Sequence, residues 1–171
     1  MYSIENWELI KGARPVLLVA GHNAPQIRNG QIKRRDWGTG SLVKYLCEQT
    51  GAWGIVATEE QLDPNYHEEA PLRKEVLRLV GDKAIKLVVD IHGRRMNYPR
   101  LVEFRINKYF DKGRLAGEEV AGAENLKQNL LIKAVDVPAV EVEIRRDGRT
   151  YGDPNFEIVL NKFKKLIAMV K

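Results

Sequence analysis

The run Val16-Leu17-Leu18-Val19-Ala20 contains no polar residue. A strand wetted on one side alternates polar and apolar side chains, so an unbroken run of this length predicts a strand covered on both faces. Similar short, β-branched runs bounded by turn residues recur at 54–57, 86–91, 101–106 and 139–144, the first one being counted from Pro15. Helical periods lie between them. Leu42, Val43, Leu46 and Cys47 follow the cap-like Thr39 or Ser41 and stop at Gly51; Leu72, Val76, Leu79 and Val80 follow Pro71 and stop at Gly81. Behind Asp153-Pro154, the residues Phe156, Val159, Leu160, Phe163, Leu166, Ile167 and Val170 make one apolar stripe, the pattern of a docking helix. Strands alternating with helices imply βαβ units and a sheet with helices on both faces. The predicted fold is α/β, a three-layer α/β/α sandwich with a mostly parallel or mixed central sheet, in a single domain over residues 1–171. The Gly- and charge-rich segment 111–127 has weak periodicity and reads as a mobile loop over the sheet edge or a frayed helix.

Composition removes several function classes. No apolar run approaches the roughly 18–20 residues of a membrane helix, and residues 1–10 lack the basic region, apolar core and cleavage site of a secretory signal. A soluble, cytoplasmic protein without a membrane partner is expected. Cys47 is the sole cysteine, so no internal disulfide and no thiolate-rich metal site can form. Any metal must be held by His and carboxylates. The net charge of +5 and the pI of about 9.3 are compatible both with nucleic acid and with small anions. Lys and Arg clusters at 33–35, 94–95, 145–146 and 162–165 are spread along the chain, and by themselves do not decide between these partners.

Two of the three histidines close predicted strands, in Val-Ala-Gly-His22-Asn and Val-Val-Asp-Ile-His92-Gly. The carboxyl ends of strands are where ligands bind in open α/β sheets, so the two imidazoles can meet at one point. Either alone would read as an ordinary turn residue. Asp90 shares a strand face with His92, where it would either fix the tautomer of that ring or ligate a metal itself. A catalytic zinc takes three protein ligands. Asp36 is one candidate for the third, with helix N-capping as its alternative role; Glu59, Glu60 and Asp63 are the others. In Ala139-Val140-Glu141-Val142-Glu143-Ile144 both glutamates fall on one face. On an edge strand they would face solvent; on a central strand one would point into the site as a base for water. His67 reads as a substrate contact or as an exposed residue near a helix start.

These residues, in this order, resemble the N-formylglutamate amidohydrolase family, a distant relative of zinc carboxypeptidases with a phosphorylase/hydrolase-like α/β fold. The resemblance is carried by His22, Asp36, Leu62-Asp63-Pro64-Asn65, Asp90-Ile91-His92-Gly93 and Val140-Glu141-Val142-Glu143-Ile144-Arg145-Arg146. It implies a Zn2+ held by His22, Asp36 and His92, Glu143 and Arg145 as catalytic groups, and a small anionic substrate bound through Asn65, Arg94 and Arg95. The family's first ligand is followed by Ser-Gly and its second by Ser; here Asn23-Ala24 and Gly93 stand in those places. Tyr66 occupies the position of a substrate-binding arginine, so Arg94, Arg95 or Arg145 is expected to take over that role. The implied activity is metal-dependent hydrolysis of an amide bond in an acylated amino acid or peptide-like anion. The rival reading is a basic α/β binding protein for RNA or another polyanion, using Arg34, Arg35, Arg94, Arg95, Arg145 and Arg146 with Trp37 or Tyr98 as stacking surfaces. Aromatic residues are too sparse for an RNA-binding motif, so nucleic acid is not the expected partner.

Overall fold

The computed structural model describes residues 5–115, 117–118, 120–121, 126 and 129–170. Its main sheet has seven strands in the order β1-β5-β2-β7-β10-β8-β9. In chain order these are β1 (Trp7–Ile10), β2 (Val16–Ala20), β5 (Trp53–Ala57), β7 (Leu87–Arg94), β8 (Val102–Ile106), β9 (Val120–Ala121) and β10 (Ala139–Arg145). The central four, β5, β2, β7 and β10, run parallel; β1 and β8 are antiparallel to their inner neighbours, and β9 is parallel to β8. The sheet is therefore mixed. The short strands β3 (Gln26–Arg28), β4 (Gln31–Lys33) and β6 (Gln61–Leu62) form a second sheet beside it, in the order β4-β3-β6.

Helices cover both faces. On one, α1 (Thr39–Thr50) and α4 (Pro154–Ala168) pack on the side chains of Val16, Leu18, Val89, Ile91, Val140 and Val142; on the other, α2 (Pro71–Asp82) and α3 (Leu130–Ala134) pack on Leu17, Val19, Ile55 and Val88. All five residues of β2 are buried, as its unbroken apolar run requires. The chain passes from β2 through α1 to β5 on one side, then through α2 to β7 on the other side of β2. Crossovers of one handedness that run in opposite directions put their helices on opposite faces, and the strand order reverses between β2 and β7. That reversal opens a crevice at their carboxyl ends.

The structure departs from the sequence reading at some boundaries. Helix α2 passes through Gly81 and ends at Asp82, and Ala84 takes the left-handed backbone (φ 49°). Part of 111–127 is ordered as a 3-10 turn at Lys112–Leu115 and as β9; residues 116, 119, 122–125, 127 and 128 lie outside the described residues. Strand β1 and the second sheet were not predicted. No described helix is long and apolar enough to cross a membrane.

Candidate metal centre

Period-two alternation divides the polar and apolar residues of the central strands. In β7, Leu87, Val89 and Ile91 face α1 and α4, which turns Val88, Asp90 and His92 to the opposite face. In β10, Val140, Val142 and Ile144 likewise send Glu141 and Glu143 there, and Glu143 lies directly beside His92 in register. Strand β10 is central, between β7 and β8, so both glutamates are buried. His22 stands two residues past β2, on the other side of the crevice.

His22 and His92 meet with their Nδ1 atoms 3.1 Å apart and their rings edge to face. His22 Nε2 is 2.9 Å from Asp63 Oδ1, and His92 Nε2 is 2.8 Å from Asp90 Oδ2. An ionised carboxylate only accepts, so each Nε2 carries a hydrogen, which leaves Nδ1 as the atom of each ring that can offer a lone pair to a cation. The third acceptor is Asp36, whose Oδ2 lies 3.6 Å from His22 Nδ1 and 3.7 Å from His92 Nδ1. The point equidistant from these three atoms is about 2.0 Å from each, which is the zinc–nitrogen and zinc–oxygen bond length of about 2.0–2.2 Å. These residues fit a cation, and His, His and Asp are a donor set suited to zinc. A second group of potential ligands, Asp90, His92 and Glu141, shares His92 but uses its protonated side.

Asp36 owes its position to backbone as much as to side chain. Its N–H donates to His22 O at 2.7 Å, and its Oδ2 accepts from Gly93 N–H at 3.0 Å. It is not a helix cap: Gly38 caps α1, without a side-chain bond. Burial opposes ionisation of Asp36, but the facing imidazoles of His22 and His92 outweigh it and hold the carboxyl well below the usual range. Burial likewise disfavours charge on His92, yet Asp90, Asp36 and Glu143 raise its pKa well above the ordinary value. Three carboxylates draw positive charge into this cluster, and Lys33 Nζ already donates to His22 Nδ1 from the cleft side at 3.0 Å.

A supporting layer lies behind the two rings. Asp63 holds Arg28 at 2.6 Å as well as His22, and the pairing of β3 with β6 brings these residues together. Asp90 Oδ2 accepts from Asn65 Nδ2 at 2.8 Å and Asn129 Nδ2 at 2.9 Å; Asn129 also donates to Glu141, and its Oδ1 caps α3. Glu143 Oε1 pairs with Arg94 at 2.6 Å and lies 3.4 Å from Arg105. One buried guanidinium joins the segments that carry the site: Arg149 donates to the carbonyls of Trp37, Arg94 and Ile144, the near neighbours of Asp36, His92 and Glu143. Gly93 makes room for it, since a Cβ there would run into that guanidinium.

Asp36 and Gly93 belong to the lining of a cleft of about 1100 Å³. Its walls carry Lys33, Arg34, Arg35, Arg94, Arg95, Arg146 and Arg149 against the single carboxylate of Asp36. That local excess of six exceeds the net charge of +5 on the whole chain, so the positive charge is concentrated here rather than spread. Arg94 and Arg95, expected to contact substrate, are in this wall. Asn65 is not; it is buried behind His92, with its amide on Asp90. Arg145 is also outside the lining, because Asp147 already occupies its fork at 2.7 and 2.9 Å. His67 is half-buried, 3.4 Å from Glu69, and takes no part in the cleft. Glu59 and Glu60 are exposed and away from the cluster. Asn129 and Arg149 were missed by sequence reasoning; neither lies in a periodic segment that points at the site.

The whole arrangement can be set beside known structures. The fold is that of N-formylglutamate amidohydrolase. The enzyme of that name from Ralstonia eutropha is 14% identical to this chain, with 98% of each chain covered and a TM-score of 0.59. A gene product of Agrobacterium tumefaciens is 16% identical, covering 97% of this chain and 93% of its own, with a TM-score of 0.64. A bacteriophage poly-gamma-glutamate hydrolase is 13% identical, covering 99% and 91%, with a TM-score of 0.53. No family profile matches the sequence, and no curated protein matches it.

Proposed function

We propose that this chain is a metal-dependent hydrolase of an amide bond in an anionic, acylated amino acid or peptide-like substrate. The observation that carries the reading is the triangle of His22 Nδ1, His92 Nδ1 and Asp36 Oδ2, three acceptors turned toward one point at bonding distance for a cation. A zinc ion held there would supply Lewis acidity to a substrate carbonyl and to water.

The remaining roles fall to the chain itself. Asp63 and Asp90 hold the two imidazoles in the tautomer that leaves Nδ1 free, and Asn65 and Asn129 hold Asp90. Glu143, beside His92, is the base: its Oε2, without a hydrogen bond among the described residues, takes a proton from the attacking water and returns it to the departing nitrogen. Arg94 keeps Oε1 oriented, and the exposed Arg95 binds a substrate carboxylate in the cleft. The fold neighbours named for N-formylglutamate and poly-gamma-glutamate support a glutamate-derived amide as the first substrate to try.

The test is hydrolysis of N-formylglutamate and a panel of acylated amino acids by chelator-treated protein before and after zinc addition. Activity should appear only with metal, and Glu143→Gln should lower kcat by roughly 10²–10⁴ while metal content stays unchanged. Full activity in chelator, or an unaffected E143Q, would refute the mechanism.

A further inference from the structure

We propose that Lys33 is a further catalytic residue of this hydrolase: its ammonium yields its place on His22 to the cation and then donates to the carbonyl oxygen of the scissile amide. The second step rests on the hydrolase reading; the first is a statement about metal affinity and stands on geometry alone. Lys33 Nζ donates to His22 Nδ1 at 3.0 Å. His22 Nε2 turns its hydrogen to Asp63, so Nδ1 has a single lone pair to give. Lys33 and a cation cannot both use it. The meeting point of the three acceptors is about 2.0 Å from Nδ1, which puts Nζ within about 5 Å of that point.

The displaced ammonium stays beside the site because its backbone is tied to His22 from two sides. Lys33 ends β4, opposite Gln26 in the β3–β4 hairpin. In the same hairpin Arg28 grips Asp63 with two bonds, at 2.6 and 3.0 Å, and Asp63 is the carboxylate that holds His22. Three residues beyond Lys33, the Asp36 N–H donates to His22 O at 2.7 Å. The side chain that springs from this segment lines the cleft, where the substrate must lie. As water adds to the amide carbon, the carbonyl oxygen takes on negative charge, and it gives that charge back when the carbon–nitrogen bond breaks. A hydrogen-bond donor beside that oxygen is therefore strongest in the transition state. The neighbouring guanidinium groups have other duties: Arg94 pairs with Glu143, and Arg149 donates to the carbonyls of Trp37, Arg94 and Ile144. Among the described residues, Lys33 is the only Lys or Arg that bonds to one of the three ligand side chains. Its partner there is a neutral nitrogen, so no carboxylate cancels its charge, and His22 takes only one of its three hydrogens.

Two full-length variants, Lys33→Met and Lys33→Gln, remove the charge and keep most of the side chain. Zinc affinity is read first, by competition with a calibrated chelator. Both variants should bind zinc about tenfold or more tightly than wild type, because the bond that the ion has to break is gone. Arg34→Met, which takes one charge from the same wall without removing a bond to His22, should change the constant far less. A misfolded variant would lose zinc, so tighter binding also reports an intact site. Turnover is read next, at saturating zinc, with the acylated amino acid that the wild type cleaves fastest. In both Lys33 variants kcat should fall by roughly 10²–10³ with KM little changed. An unchanged kcat, a loss confined to KM, zinc binding no tighter than wild type in both variants, or an equal gain in Arg34→Met would overturn the proposal. A wild-type protein that binds zinc and hydrolyses nothing would refute the hydrolase reading, and the zinc constants would still decide whether Lys33 gives way to the ion.

Discussion

Glu143 sits where a strand residue is forced to choose between burial and charge. Burial pushes its carboxyl above the ordinary value of 4.5, Glu141 adds to the shift, and His92, Arg94 and Arg105 pull against it. A base acts when deprotonated, so kcat/KM should rise with pH through an acid limb lying above pH 4.5. That limb should vanish in E143Q, which a pH–rate profile checks directly. The histidine orientation makes a separate prediction. Asp90→Asn keeps the shape but no longer forces the hydrogen onto His92 Nε2, and zinc affinity should fall by about 10–100-fold. Competition with a calibrated chelator would measure it; an unchanged affinity would show that Asp90 does not set the tautomer. At this scale the sequence was informative where period-two geometry speaks. His92 and Asp90 share a face because they are two apart, and Glu143 follows the same rule. Asn65 was visible as a polar residue in a loop, but its depth was not, because only the packing of α2 and α3 over the sheet determines which side of His92 it occupies.

Each site group is delivered by an element whose placement has its own cause. Parallel β2, β7 and β10 lie side by side, so their carboxyl ends bring His22, His92 and Glu143 to one edge. The unbroken apolar runs made this legible. The β3–β4 hairpin was less so, although a signal existed: Asn29-Gly30 has positive φ at both positions (51° and 72°), the backbone of a tight hairpin turn, and an Asn-Gly pair is its usual sequence. Its strands are three residues each, too short for alternation to show. Arg149 was illegible for a different reason, since its partners are carbonyls from three distant segments and carbonyls leave no mark on sequence. Its role yields a double-mutant test. Arg149→Ala should cost roughly 3 kcal/mol by stranding buried carbonyls. Gly93→Ala should cost roughly 1–3 kcal/mol because its Cβ meets the guanidinium. In the R149A background the Gly93→Ala penalty should largely disappear, as read by denaturant unfolding; strict additivity would contradict the clamp.

Over the whole molecule, charge and sheet topology converge on the same place. The order reversal between β2 and β7 opens the crevice, and the surrounding loops carry a cationic excess larger than the net charge of the chain. Such a cleft focuses anions, so KM for an acidic substrate should rise several-fold as ionic strength goes from about 0.01 to 0.15 M and the screening length falls from about 30 to 8 Å, with little change in kcat. Composition predicted the basic character but not its concentration, because the clusters at 33–35 and 94–95 and the separate Arg146 and Arg149 become neighbours only when the sheet forms. Either the two imidazoles and the carboxylate hold a cation, or Lys33 already supplies the positive charge their acceptors require. Zinc titration of chelator-stripped protein by calorimetry separates the two. One tightly bound ion per chain is expected, lost in His22→Ala and in His92→Ala. A wild-type chain that stays empty at saturating zinc would contradict it.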